Sequence, residues 1–155
     1  FDVDFFEKQN SSKKLKELFK NDSIQKIFHF GRFDLSIIKK FFGINCNNIF
    51  CTKIASKLVR TYTDRHGLKD LCRELLEVDL SKIQQSSDWS QKNLSESQIK
   101  YASKDVIYLF ELKNKLEFML QREKRTEISK KLFEFLKTRI ELDFMGWQDI
   151  DIFSH

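Results

Sequence analysis

Apolar and polar residues recur with two different periods along this chain, and the changes of period divide it into elements. Phe1-Asp2-Val3-Asp4-Phe5-Phe6 alternates apolar with acidic positions, the period of a half-buried strand. Ser11 and Ser12 suit a helix N-terminus, and Leu15, Leu18 and Phe19 share one face of a helix that runs to Asn21. Ile24-Gln25-Lys26-Ile27-Phe28-His29 is a β-rich run ending at Gly31. Leu35, Ile38, Phe41 and Phe42 then fall at helical spacing up to Gly43, a suitable C-terminal stop. A second short strand is predicted at Asn48–Cys51, followed by helices over Thr52–Thr61 and Gly67–Leu76. The stretch Ser81–Asn93 is polar and aperiodic, hence a loop.

Ser95-Glu96-Ser97-Gln98 has the form of a capping box, in which Ser and Gln each satisfy a backbone donor at the start of a helix. One long helix is predicted from there. It carries Ile99, Ala102, Val106, Leu109, Leu116 and Leu120 in one stripe and Tyr101, Asp105, Tyr108 and Leu112 in the next. Another helix, basic at its start, covers Arg122–Leu142 before a short tail. Strand and helix alternate, so the fold class is α/β, and neither a repeat nor a low-complexity tract suggests more than one domain over 1–155.

Composition narrows the function classes. With 41% hydrophobic and 33% charged residues, 4 Gly and no Pro, the chain is globular rather than disordered or fibrous. No apolar run reaches the roughly 18 residues a membrane-spanning helix needs, and no charged-then-apolar leader opens the chain, so a cytoplasmic protein is expected. Cys46, Cys51 and Cys72 are odd in number, lack CxxC spacing and sit beside apolar residues; they read as reduced thiols, not as a zinc site. The net charge of +5 is dispersed. It permits attraction to phosphates without requiring it, and most of these lysines suit solvated helix faces.

Two acids stand out. Asp34 lies five residues after His29, just past a strand end, and Asp105 lies one helical turn from Tyr101 beside an apolar stripe. A buried carboxylate has to be paired, hydrogen-bonded or bound to metal. Magnesium and manganese take hard oxygen ligands, often from Asp residues on distant segments. By pattern alone, plainer roles serve as well: Asp34 as a first-turn acid facing the helix dipole, and Tyr101 and Asp105 as an amphipathic edge with Asp105 paired to Lys104.

Motif wording separates these readings. Phe28-His29-Phe30-Gly31-Arg32-Phe33-Asp34-Leu35 resembles the second exonuclease motif of ribonuclease D, and Tyr101-Ala102-Ser103-Lys104-Asp105-Val106 its third, in the Tyr-x-x-x-Asp version. Gly67-Leu68-Lys69-Asp70-Leu71 and Gln85-Ser86-Ser87-Asp88-Trp89 match the intervening segments in order. The tail from Leu142 is similar to that of short single-domain bacterial members, without the further helical nucleic-acid-binding domain of longer ones. Phe30 and Arg32 depart from the commonest second motif, which has a polar amide after the His.

The resemblance implies a DEDD-superfamily 3′→5′ exonuclease with a ribonuclease H-like mixed sheet flanked by helices. It implies two-metal hydrolysis with Mg2+ or Mn2+, in which Asp34 and Asp105 are metal ligands and Tyr101 orients the attacking water. Nucleic-acid contacts are expected at His29, Arg65, Lys69 and Gln85, with Lys53, Lys57 and Arg60 further candidates for phosphates. Family precedent points to RNA 3′ ends, including transfer RNA precursors. DNA ends and a non-catalytic binding module are the alternatives, and oligomeric state is open.

The first motif of this pattern, Asp-x-Glu, has no counterpart in the chain. Asp2-Val3-Asp4 is nearest, yet it sits too close to His29 to leave room for the intervening strands. An incomplete sheet lacking its first two strands is therefore expected, with at most one weakly held metal ion and no activity from these residues alone.

Overall fold

Lys26–Phe28 (β1) and Ile49–Cys51 (β2) pair in parallel, with Lys26 opposite Ile49, Ile27 opposite Phe50 and Phe28 opposite Cys51. Parallel neighbours need a crossover, and the helix Arg32–Phe42 (α2) provides it. In this computed structural model residues 11–80 and 94–154 are described; the predicted strand at Phe1–Phe6 and the loop Ser81–Asn93 lie outside them. Among the described residues the sheet has these two strands.

The remaining elements are helices. Ser11–Lys20 (α1) precedes β1, and Thr52–Val59 (α3) and Leu68–Leu76 (α4) follow β2. Glu96–Ile107 (α5), Leu109–Arg122 (α6) and Thr126–Leu142 (α7) complete the chain, with a wide helical turn at Asp143–Trp147. The predicted capping box is present: Ser95 N–H donates to Gln98 Oε1 at 2.8 Å, and Gln98 N–H to Ser95 Oγ at 3.2 Å. α2 stops where expected, at Gly43, whose φ of 65° is left-handed and whose N–H donates to the Lys39 carbonyl.

The core forms where β2 meets the helices. Ile49, Phe50 and Cys51 are buried against Leu35 and Ile38 of α2, Ala55 and Val59 of α3, Leu116 and Leu120 of α6, and Phe133, Leu136 and Ile140 of α7. β2 reads as a continuous apolar run because both of its faces are covered. A second cluster joins Leu71 and Cys72 of α4 to Leu80 and Leu112. All three cysteines are buried and none forms a disulfide. No helix among the described residues is long and apolar enough to cross a membrane.

One expectation fails. The single long helix from Ser95 divides at Tyr108, whose ψ of −8° departs from helical geometry, and its apolar stripe changes character there. Leu109, Leu112, Leu116 and Leu120 are buried, whereas Ile99 is 56% and Val106 61% exposed. Periodicity shows that residues share a face; it does not show that a neighbour covers the face. The last helix also begins later than predicted, at Thr126, after Lys124 takes a positive φ of 56°.

Because Leu116 is fully buried at the junction of α6 with the sheet, Leu116→Ala is expected to destabilise the fold by about 2–5 kcal/mol. Urea unfolding monitored by circular dichroism measures it, and Ile99→Ala on the open face of α5 should cost far less.

Candidate active site

The carboxyl ends of two parallel strands lie side by side, the part of an open α/β sheet where ligands bind. With Phe28 paired to Cys51, the next residues, His29 and Thr52, face each other. Thr52 is fully buried and its hydroxyl donates to the Phe28 carbonyl at 3.2 Å. Its Oγ1 is then left to accept from His29 Nδ1, 2.9 Å away. This network assigns the Nδ1–H tautomer and leaves Nε2 with a lone pair. Burial, aided by the nearby Lys53 ammonium, pushes the His29 pKa down to about 4, so the ring is neutral at physiological pH.

After His29 the chain turns sharply. Phe30 has a positive φ of 62°, rare for an aromatic residue. Gly31 follows because a Cβ there would stand 2.9 Å from Phe28 Cβ. This turn sets the start of α2 and puts Asp34 in its first turn. The Asp34 carboxyl is open to solvent by area, yet the surrounding protein mass desolvates it enough to raise its pKa, opposed by a hydrogen bond from its own backbone. No cationic side chain of the described residues contributes to that balance. An acid held this way suits a cation supplied from outside, and a hard divalent ion fits its oxygen donors. No group of three or more His, Cys, Asp or Glu able to hold a metal occurs among the described residues.

Tyr101 and Asp105 lie one turn apart on α5, as predicted. The side chains at both positions are outside what is described, as are Asp2, Asp4, Gln85, Asp88 and Trp89. Arg65 is exposed, while Lys69 is paired with Asp79 at 3.5 Å.

Arg60 corrects an expectation. It is fully buried instead of facing phosphates, ion-paired with Glu74 and donating to Ser56 Oγ at 3.0 Å and the Arg65 carbonyl at 2.7 Å. Ser56 Oγ in turn lies 2.8 Å from His66 Nδ1. This network fixes the corner between α3 and α4, where a basic residue in the sequence looks like any other.

Arg32 has a role that the pattern reading missed. Its guanidinium grips Asp143 bidentately, Nε to Oδ2 and Nη2 to Oδ1 at 2.7 Å each, and Nη2 also donates to the Gln148 carbonyl at 2.6 Å. Arg139 joins the same carboxylate at 3.1 Å and donates to the carbonyls of Trp147, Gln148 and Ile150. The first turn of α2, bearing Asp34, is thereby tied to the end of α7. The only sequence signal was the departure at position 32 from the common motif wording.

Comparison with known proteins shows the family. A family model described as 3′-5′ exonuclease matches residues 3–121. Ribonuclease D of Jannaschia sp. (strain CCS1) is 37% identical over 112 residues, which is 72% of this chain and 29% of that protein. Brucella melitensis NrnC bound to pGG is 54% identical with a TM-score of 0.89, covering 96% of this chain and 72% of that one. NrnC with bound Mg2+ is 55% identical with a TM-score of 0.85, over 91% and 68%. The chain belongs to the DEDD 3′-5′ exonuclease family and has its α/β, ribonuclease H-like fold. Members of that family are phosphodiester hydrolases. The resemblance to ribonuclease D holds at the level of this domain, and the identity to NrnC is higher. The chain spans less than a third of the ribonuclease D it matches.

The depressed His29 pKa has a measurable sign. As pH falls from 6.5 towards 4, the unfolded chain takes up a proton that the folded ring refuses, so stability is lost in that window. The loss from this group is expected to be at most about 3 kcal/mol. Urea unfolding near pH 7 and pH 4.5, compared between wild type and His29→Gln, isolates it; the variant should show the smaller drop.

Proposed function

We propose that this chain carries part of the active centre of a 3′→5′ exonuclease that removes nucleoside monophosphates from the 3′ ends of short RNA. The observation that carries the reading is the placement of Asp34: a desolvated acid without a cationic partner among the described residues, at the carboxyl ends of parallel strands. Asp105 on α5 is the second carboxylate of the set, and Tyr101, one turn away, orients the attacking water through its phenol. Bound magnesium or manganese would lower the pKa of that water and stabilise the leaving oxygen. Asp34 and Asp105 would hold it, as two of four carboxylates. These 155 residues alone are then inactive, with at most one weakly held ion.

Short substrates are favoured over structured transfer RNA precursors because NrnC, more than half identical to this chain, binds pGG. Neutral His29, whose Nε2 keeps a lone pair, suits a sugar hydroxyl as its partner, exposed Arg65 suits a phosphate, and half-buried Lys69 would exchange its Asp79 partner for one. Gln85 belongs to the same proposed contact set.

Release of nucleoside monophosphate from 5′-labelled dinucleotides and from about 20-nucleotide RNA and DNA tests the reading, on protein that also carries an Asp-x-Glu segment. Asp34→Asn and Asp105→Asn are each expected to lower Mg2+-dependent release at least about 100-fold, and Tyr101→Phe to lower it less, in the range of acid–base contributions. Undiminished release by both Asn variants would leave a nucleic-acid-binding module in place of the enzyme.

A further inference from the structure

Beside Asp34 lies a cluster of side chains that the hydrolytic chemistry does not use. Phe33 precedes Asp34 directly and is 61% exposed. Phe30 meets it edge-on, with ring centroids 5.0 Å apart at 74°. On the Phe30 ring sits the Lys53 ammonium, 3.8 Å from the centroid. Lys53 follows Thr52 at the end of β2 just as Phe30 follows His29 beyond β1, so the register of the strands brings cation and ring together.

Single exposed aromatic residues need no explanation. This group differs in three respects. The Phe30 ring is carried on a left-handed backbone that costs free energy in a non-glycine residue and that tends to persist at functional sites. The Phe33 ring is braced by a neighbouring ring and stays open to solvent, forgoing the stabilisation its burial would bring. Finally, the Lys53 ammonium over the Phe30 ring adds a positive charge to this aromatic pair, whose Phe33 directly precedes the candidate metal-binding acid in the chain. Aromatic faces beside a cation, along a groove, are what single-stranded nucleic acid uses: bases stack on the rings and phosphates meet the charge.

We propose that Phe30, Phe33 and Lys53 form a nucleotide platform, in which Phe33 stacks on a nucleobase, Phe30 braces Phe33, and Lys53 contacts a phosphate. The proposal deepens the exonuclease reading and rests on it for the choice of ligand. Stacking tolerates any base, so the platform confers affinity for single-stranded ends without sequence preference, and a base paired within a duplex has no free face to offer.

The test uses 5′-phosphorylated dinucleotides with 2-aminopurine in one position or the other, bound to the full chain with Ca2+ in place of Mg2+. Wild type is expected to quench the probe through stacking. Phe33→Ala should weaken binding about tenfold and restore emission, whereas Phe33→Trp should retain binding within about threefold. Lys53→Ala should lower affinity and reduce the salt dependence by about 0.7 in the log–log slope, the value for one phosphate contact on a single strand. Wild-type-like binding and quenching by Phe33→Ala would overturn the proposal, as would absence of quenching by wild type. Should Phe33→Ala fail to fold, Phe33→Leu, which keeps bulk but not the aromatic face, decides between the same outcomes. Hydrolysis is scored separately in Mg2+ on protein that also carries an Asp-x-Glu segment: quenching by wild type without nucleotide release keeps the platform and rejects the nuclease, while release with unquenched probe does the reverse.

Discussion

Among the described residues, the geometry at the strand ends of the candidate site hangs on a three-residue parallel ladder. Lys26 to Phe28 against Ile49 to Cys51 is short, yet its register decides which side chains meet beyond the strand ends. A slip of one residue would turn β2 over, sending the buried Phe50 to the opposite face and parting His29 from Thr52. The apolar cover over β2 opposes that slip, because Phe50 packs on Phe133 with centroids 5.0 Å apart. Core packing far from the candidate site thus sets the site's geometry.

Two kinds of charged group are held in different ways. Arg60 is buried with every direction of its guanidinium engaged by Glu74, Ser56 and a carbonyl, a paired arrangement that avoids the cost of an isolated interior charge. Asp34 is left without such a partner among the described residues, and no cation of those residues offsets its desolvation. The first arrangement belongs to a scaffold. The second is the arrangement that the proposed role of Asp34 as a metal ligand calls for.

Much of this was legible in the residues. The capping box at Ser95, the stop at Gly43 and both short strands follow from local chemistry that tertiary context seldom overrides, and the motif around Asp34 carried the family. Burial was harder to read. The stripe containing Ile99 and Val106 has the right spacing for a core face and is open, while Arg60, which by type belongs on the surface, is fully enclosed. Side-chain partners across long separations were least legible: nothing near position 32 names Asp143 as its counterpart, because that pairing depends on where α7 ends in space.

The joint between Arg32, Arg139 and Asp143 also constrains how such a protein can drift. One carboxylate bridges two guanidinium groups, so losing it by substitution would leave two like charges confined together, and losing either arginine would loosen the Gln148 carbonyl that they share. Positions 32, 139 and 143 are therefore coupled energetically, and a change at any one of them alters what the other two contribute.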